Sequence, residues 1–207
     1  GKEEDIWYAA SITRVVVPPR QTLETFGTTT VRYHLISELM DEVGKVRVRE
    51  GKVSSERPQI ITPSHFAEQM LEGFGEKAQD YANWLRANNE MVRILRYGLQ
   101  FKKEETSQEI LSDNLQAVTE RVTERVESRQ DPLTVVLIGA DEMWEVSLLR
   151  FLVQYIEQSV PGNIRDLNQR AREDANYDAA KIHYEIEADF HRASQNRLHI
   201  QALGKKL

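Results

Sequence analysis

The sequence predicts an α+β fold, with an N-terminal antiparallel sheet of three or four strands followed by a mostly helical region. Apolar residues alternate with polar ones before residue 62, whereas they recur every three or four positions after it. The stretch 141–159 is apolar around most of a helical circumference, which is typical of a buried helix. We therefore expect a β-rich part at 1–62 and a helical part at 63–207, integrated into one domain around this central helix.

Composition restricts the class of protein. The chain has 207 residues, of which 40% are hydrophobic, so it can bury a substantial core. The net charge is −6, so the chain lacks the excess of basic residues found in proteins that bind nucleic acid mainly through phosphate contacts. It contains no cysteine, which excludes disulfides and thiol chemistry. The first residues lack an apolar signal core, and the apolar run at 133–138 is far shorter than the roughly 20 residues that span a bilayer. We expect a cytoplasmic protein with no cofactor and no membrane contact.

Two stretches of the first part carry a clear strand signal. Residues 6–17 are rich in β-branched and aromatic side chains and end at two prolines, which cannot continue a strand ladder. In residues 28–40, Val31, Tyr33 and Leu35 alternate with polar neighbours, and this period of two predicts a second strand.

Residues 45–61 predict a β-hairpin. Val46 and Val48 alternate with basic residues, which indicates a strand with one apolar face. Glu50 and Gly51 offer the turn, because glycine adopts positive φ without steric cost. The return strand then occupies the second half of this stretch.

Helices are predicted from Thr62-Pro63 onward, a pair that favours a helix start. One amphipathic segment has its apolar residues at 78, 81, 82 and 85. Residues 91–101 fit either a helix to about residue 97 or a strand at 97–102, because both periodicities find apolar matches.

The clearest surface helix follows a Ser112-Asp113 cap, with apolar residues recurring through 115–126. After it, the run 133–138 is a buried strand by composition, but the Asp-Pro pair before it also suits a helix start. Both interpretations of this run remain open at the level of sequence.

The central helix is expected to begin at Asp141 and Glu142, whose negative charges suit the positive end of a helix dipole. The breaker cluster at 160–163 is predicted to end it, with Asn163 capping a short helix at 164–172. A last, highly charged helix carries a thin apolar stripe between residues 179 and 200.

The hairpin supplies one candidate site for an anion or a nucleic acid. Its basic residues are Lys45, Arg47, Arg49, Lys52 and Arg57, and they are expected to point away from the apolar face. Arginine on a two-stranded ribbon can bind phosphates through bidentate hydrogen bonds. Outward basic residues also protect sheet edges from aggregation, which is the simpler explanation.

The last helix supplies a candidate metal site. His183, Glu187 and His191 are spaced four residues apart and so share one helical stripe. Imidazole and carboxylate at this spacing can ligate zinc or another divalent ion. A solvated helix flank explains the same residues more simply.

Residues 73–78, GFGEKA, match the letters of the dinucleotide-binding motif G-x-G-x-x-A. That chemistry requires a strand before the glycines and a helix after them, and a helical pattern precedes them here. We therefore interpret these glycines as helix breakers.

No complete catalytic motif occurs, and amphipathic helices are abundant, so the sequence favours a non-enzymatic interaction or adaptor protein. Its partner would be another protein or a second copy of the chain, bound through the 115–126 stripe or the stripe on the last helix. The alternative is a metal-dependent enzyme acting on a phosphorylated or nucleic-acid substrate, with the basic hairpin as its clamp.

Overall fold

A mixed six-stranded sheet forms the centre of the protein. The computed structural model describes residues 1–57, 71–87, 100–174 and 184–192. Within these ranges helices cover both faces of the sheet. The predicted α+β class is confirmed.

The elements follow one another as α1 Lys2–Ile12, β1 Arg14–Val17, β2 Thr29–Glu38, β3 Val46–Ser55, β4 Leu71–Glu72, α2 Glu76–Ala87, β5 Phe101–Leu111, α3 Leu115–Arg129, β6 Thr134–Ile138, α4 Trp144–Asp174 and α5 at residues 184–192. The strand order in the sheet is β1-β6-β2-β3-β5-β4. The pairs β2–β6 and β4–β5 are parallel, and the other neighbouring pairs are antiparallel.

Alternation along the strands sends side chains into two separate hydrophobic cores. The larger core lies between the sheet and helices α1, α2 and α4, and includes Tyr33 and Leu35 of β2. The smaller core lies between the sheet and α3, and includes Ile36 and Val48. We refer below to the α4 face and the α3 face of the sheet.

The first predicted strand, residues 6–17, is wrong over most of its length. Helix α1 occupies Lys2–Ile12, and only Arg14–Val17 form a strand, β1. Ile6 and Ala9 are three residues apart and are both buried in the larger core. Packing of this helical stripe therefore outweighs the β propensity of the segment.

The predicted turn at Glu50-Gly51 is also wrong, because β3 runs through both residues without a break. The chain turns earlier, between β2 and β3, where Gly44 has a positive φ of 77°. Gly51 is required for its small size instead, since a Cβ atom there would lie 2.4 Å from the Tyr33 hydroxyl oxygen. Residues 58–61 of the predicted return strand lie outside the described residues.

The sheet differs from the predicted N-terminal sheet, because β4, β5 and β6 come from the second part of the chain. The run 133–138 contains strand β6, whose three central residues are fully buried, which decides the open choice in favour of a strand. Strand β5 is highly polar and was not predicted beyond the first two residues, which fall in the alternative strand at 97–102. Residues 91–99 lie outside the described part of the chain.

The buried central helix predicted at 141–159 is confirmed, but its bounds differ. Helix α4 spans Trp144–Asp174, so the breaker cluster at 160–163 lies inside it. Pro161 removes one helical N–H donor, a change that costs about 3 kcal/mol or more in a helix interior. Burial of the neighbouring Val160 in the larger core favours continuing the helix across the proline.

Asn163 lies within α4 and does not cap a short helix at 164–172. Its side-chain amide donates hydrogen bonds to the Leu23 carbonyl at 2.8 Å and to the Thr25 hydroxyl at 2.9 Å. One turn earlier, the Ser159 hydroxyl accepts a hydrogen bond from the Leu23 amide at 3.0 Å. These buried hydrogen bonds join the segment before β2 to α4 and stabilise the helix beyond its proline.

Helix α3 confirms the predicted surface helix. The predicted cap at Ser112-Asp113 is wrong, because the Asn114 side chain accepts the hydrogen bond from the amide of Ala117, at 2.8 Å.

Among the helices that the structure describes, none is both long enough and apolar enough to cross a bilayer.

The described residues of the two apolar stripes that were expected to bind a partner pack inside this chain. On α3, Val118, Val122 and Val126 are buried in the smaller core. On α5, Ile186 and Phe190 pack against the larger core, and the rest of that stripe lies outside the described residues. Within the described residues, these apolar side chains are therefore covered by the chain itself.

We expect Leu152→Ala to lower the free energy of unfolding by about 2–5 kcal/mol, because the truncation leaves a cavity in the larger core. Chemical denaturation measures this change. Met40→Ala, a truncation of an exposed side chain, should change stability by less than about 0.5 kcal/mol. Equal stability of the two variants would contradict the placement of the core.

Candidate functional site

The five basic residues of the predicted hairpin do not share one face. Arg47 and Arg49 lie on the α4 face, and Lys52 lies on the α3 face, while Lys45 precedes β3 and Arg57 follows it. Arg49 is buried, although the sequence predicted that it points outward. The nucleic-acid contact stays a prediction, and burial removes Arg49 from the surface on which it would form.

Arg49 forms a buried ion pair with Asp141. Its Nη1 lies 3.0 Å from Asp141 Oδ1 and donates a hydrogen bond to Ser37 Oγ at 3.3 Å, while Ser37 donates to Asp141 at 2.9 Å. The guanidinium group also lies 4.9 Å from the ring centroid of Trp144. Burial lowers the pKa of Arg49, and the carboxylate of Asp141 opposes this shift. Helix α4 begins at Trp144, so Asp141 precedes the helix that it was expected to begin.

A second cation lies against the same indole ring. The Lys103 ammonium is 4.4 Å from the centroid of Trp144 and 3.4 Å from Glu145 Oε2. Glu145 in turn accepts a hydrogen bond from the amide of Gly75 at 2.7 Å. Each charged group in this cluster has a partner of opposite charge or a hydrogen-bond donor, which is the arrangement of a structural cluster.

The glycines at 73–78 lie in a strand-turn-helix arrangement, between β4 and α2, and do not interrupt a helix as the sequence predicted. Gly73 has a φ of 83° and approaches the Lys103 carbonyl so closely that a Cβ atom would lie 2.3 Å from it. The amide of Gly75, which would meet a phosphate in a nucleotide site, is bound by Glu145. The Glu145 carboxylate thus accepts the hydrogen bond that a ligand phosphate would need.

The α3 face of the sheet carries a buried histidine beside a carboxylate. The register of β2 with β3 places His34 directly opposite Glu50. Nδ1 of His34 is 3.2 Å from Glu50 Oε1, but it has no well-aligned hydrogen bond to any described residue. Arg125 of α3 binds the same carboxylate at 2.9 Å. Burial lowers the pKa of His34, Arg125 and Arg129 add to this effect, and Glu50 opposes it.

A cleft of about 210 Å³ opens beside this histidine. Its lining residues come from β2, β3, β5 and the end of α3, and are Arg32, Tyr33, His34, Glu50, Gly51, Lys52, Thr106 and Arg129. Thr106 is an extra residue in β5, because Glu50 pairs with Ser107 whereas Gly51 pairs with Glu105. β-Bulges of this kind redirect side chains and are frequent beside functional sites.

Among the residues that the structure describes, strand β5 forms an open edge of the sheet next to this cleft. It pairs with β3 along its length, but with the two-residue β4 only at Phe101 and Lys102. Residues 104–110 are all exposed, so helices cover neither of their faces. No described residue pairs with the outer backbone of this segment, which leaves donors and acceptors available for another strand.

The predicted metal site is described only in part. Glu187 and His191 lie exposed on α5, and His183 lies outside the described residues. Within the described ranges, no three histidine, aspartate or glutamate side chains are grouped closely enough to hold a metal ion. The metal site and the enzyme that would depend on it stay predictions.

Sequence analysis missed both the cleft and the β5 edge. His34 and Glu50 meet only because β2 and β3 pair in one register, and the predicted turn at Glu50 hid that pairing. Alternation does place His34 on the opposite side of β2 from Tyr33, which was visible in the sequence. The polar composition of β5 gave no apolar signal that could have revealed a strand.

Comparisons with protein-family models, with curated proteins and with solved structures found no match to this chain.

We expect Asp141→Asn to destabilise the protein by about 3–5 kcal/mol, because it leaves the Arg49 charge buried without a counterion. Asp113→Asn makes the same chemical change in an exposed pair with Arg121 and should cost no more than about 1 kcal/mol. Urea denaturation of both variants measures the difference. Equal losses of stability in the two variants would show that the buried ion pair contributes no more than the exposed one.

Stability should fall when the pH is lowered from about 7.5 to 5.5, because the unfolded chain protonates His34 more readily than the folded protein does. This one group contributes a slope of at most about 1.4 kcal/mol per pH unit. His34→Gln should remove that contribution, and His191→Gln, on an exposed histidine, is the matched control. Identical pH profiles for the wild type and His34→Gln would refute this assignment.

Proposed function

We propose that this chain is a non-enzymatic interaction protein that binds an extended segment of a partner along the outer edge of β5. The observation that carries the proposal is the open edge at residues 104–111, which no described residue covers. Addition of a strand to such an edge is a common mode of peptide recognition, in which backbone hydrogen bonds supply affinity.

Charge favours a partner segment that carries basic residues. Glu104, Glu105 and Glu109 lie within the exposed segment, which contains neither lysine nor arginine. Glu104 and Glu105 each have a lysine of this chain within 4 Å, whereas Glu109 forms no ion pair in the described part of the chain. A basic side chain opposite Glu109 would thus gain an attraction that the chain itself does not satisfy.

The same charges disfavour a second copy of the chain as the occupant. Two β5 edges that pair antiparallel about Ser107 bring Glu105 of one copy opposite Glu109 of the other. Like charges opposite each other destabilise a strand pair, so the heterologous segment is the better match. Apolar contact is available from Ile110, which is 49% exposed at the far end of the edge.

The proposal is tested with short peptides that alternate lysine with valine, measured by fluorescence anisotropy and by hydrogen exchange. The basic peptide should bind and slow amide exchange at residues 104–111, while a peptide with glutamate in place of lysine should bind more weakly. N-methylation of alternate peptide amides should abolish binding for one set of positions only, because only one set faces β5.

Matched charge reversals test the role of the edge. Glu109→Lys should weaken binding of the basic peptide about 3- to 10-fold, in line with an exposed charge contact. Glu124→Lys, an identical change on the exposed surface of α3, should leave binding unchanged. If the basic peptide does not slow amide exchange at residues 104–111, the proposal is wrong. The glutamates would then serve only to protect the sheet edge against aggregation. Dimerisation without peptide would favour self-association instead.

A further inference from the structure

We propose that the cleft beside His34 binds a phosphate group, either as inorganic phosphate or on a small phosphate monoester. This site lies on the α3 face of the sheet and is independent of strand addition at the β5 edge. The proposal rests on a buried histidine, on the charges around it and on the bulge that opens the cleft.

His34 is the first of these observations. The residue is only 5% exposed, yet it lines the cleft, and its Nδ1 atom lies 3.2 Å from Glu50 Oε1 without a well-aligned hydrogen bond. Buried polar atoms in folded proteins nearly always have a partner. An imidazole in this state that lines an open cleft is therefore suited to a polar ligand.

The charges around the cleft favour an anion. Its lining residues carry three cations, Arg32, Lys52 and Arg129, and one carboxylate, Glu50. Glu50 already binds Arg125, so its negative charge is compensated within the protein. The excess of cations in the lining favours an anion, and arginine side chains offer bidentate donors for phosphate oxygens.

The three cations that line the cleft differ in whether a carboxylate of this chain lies beside them. Arg32 lies 3.9 Å from Asp131, and Lys52 lies 3.4 Å from Glu104. Arg129 has no carboxylate partner in the described part of the chain. It is therefore the cation most available to a ligand, and it lies in the last turn of α3.

The bulge and the size of the cleft limit the ligand. Thr106, the extra residue of β5, adds a hydroxyl group to the lining. A volume of about 210 Å³ equals that of roughly seven water molecules in the liquid, which suits a phosphate with a small organic group and excludes a dinucleotide.

The test titrates the intact protein with inorganic phosphate at constant ionic strength, with chloride and acetate as reference anions. Phosphate should raise the melting temperature progressively, because a ligand that binds only the folded state stabilises it. It should also shift the imidazole resonances of His34, which are assigned by comparison with His34→Gln. Equal responses to phosphate and chloride would overturn the proposal, and equal responses to acetate would overturn its specificity for phosphate.

Arg129→Gln supplies a variant that does not depend on the buried histidine. It should weaken phosphate binding about tenfold or more, through loss of a charge-assisted hydrogen bond. Arg121→Gln, which is on the same helix and outside the cleft, should bind as the wild type does. Unchanged affinity in Arg129→Gln would overturn the site. Binding of the basic peptide should be the same in both variants, so failure of this site is distinguishable from failure of the β5 edge.

Discussion

The buried pair of Arg49 and Asp141 is the interaction on which the arrangement of this protein depends. It joins β3, in the middle of the sheet, to the segment between β6 and α4, and Ser37 of β2 takes part in the same contacts. A charge this deeply buried is tolerated only with a counterion and hydrogen bonds. The pair therefore fixes the start of α4, the largest helix of the larger core, relative to the strands beneath it.

Both faces of the sheet contain a buried polar group, but the two are satisfied differently. On the α4 face, Arg49 has Asp141, Ser37 and the Trp144 ring as partners. On the α3 face, His34 has a nearby carboxylate and an open cleft. Complete satisfaction is the arrangement of a structural group, whereas incomplete satisfaction at an accessible cavity is the arrangement of a binding group. This contrast between Arg49 and His34 is why we propose a ligand beside His34.

The β5 edge and the cleft meet at one irregularity of the sheet, the bulge at Thr106. Sheet edges are protected from unwanted pairing by charges and by bulges, and β5 has both. Charges on a sheet edge repel segments of the same charge and attract segments of the opposite charge, so the features that protect an edge can also select a partner. Thr106 therefore belongs both to the edge proposed to bind a strand and to the lining of the cleft proposed to bind phosphate.

The sequence by itself determined those elements whose apolar periodicity is strong, namely β2, α3 and the core of α4. It could not reveal β5, whose polar residues form a strand because β3 supplies hydrogen bonds along its whole length. It also could not predict that α4 continues through Pro161, since burial and the hydrogen bonds of Asn163 outweigh the helix-breaking preference. Both candidate sites depend on strand pairing between residues distant in sequence. Tertiary structure alone decided them, because register and burial arise only when the whole sheet assembles.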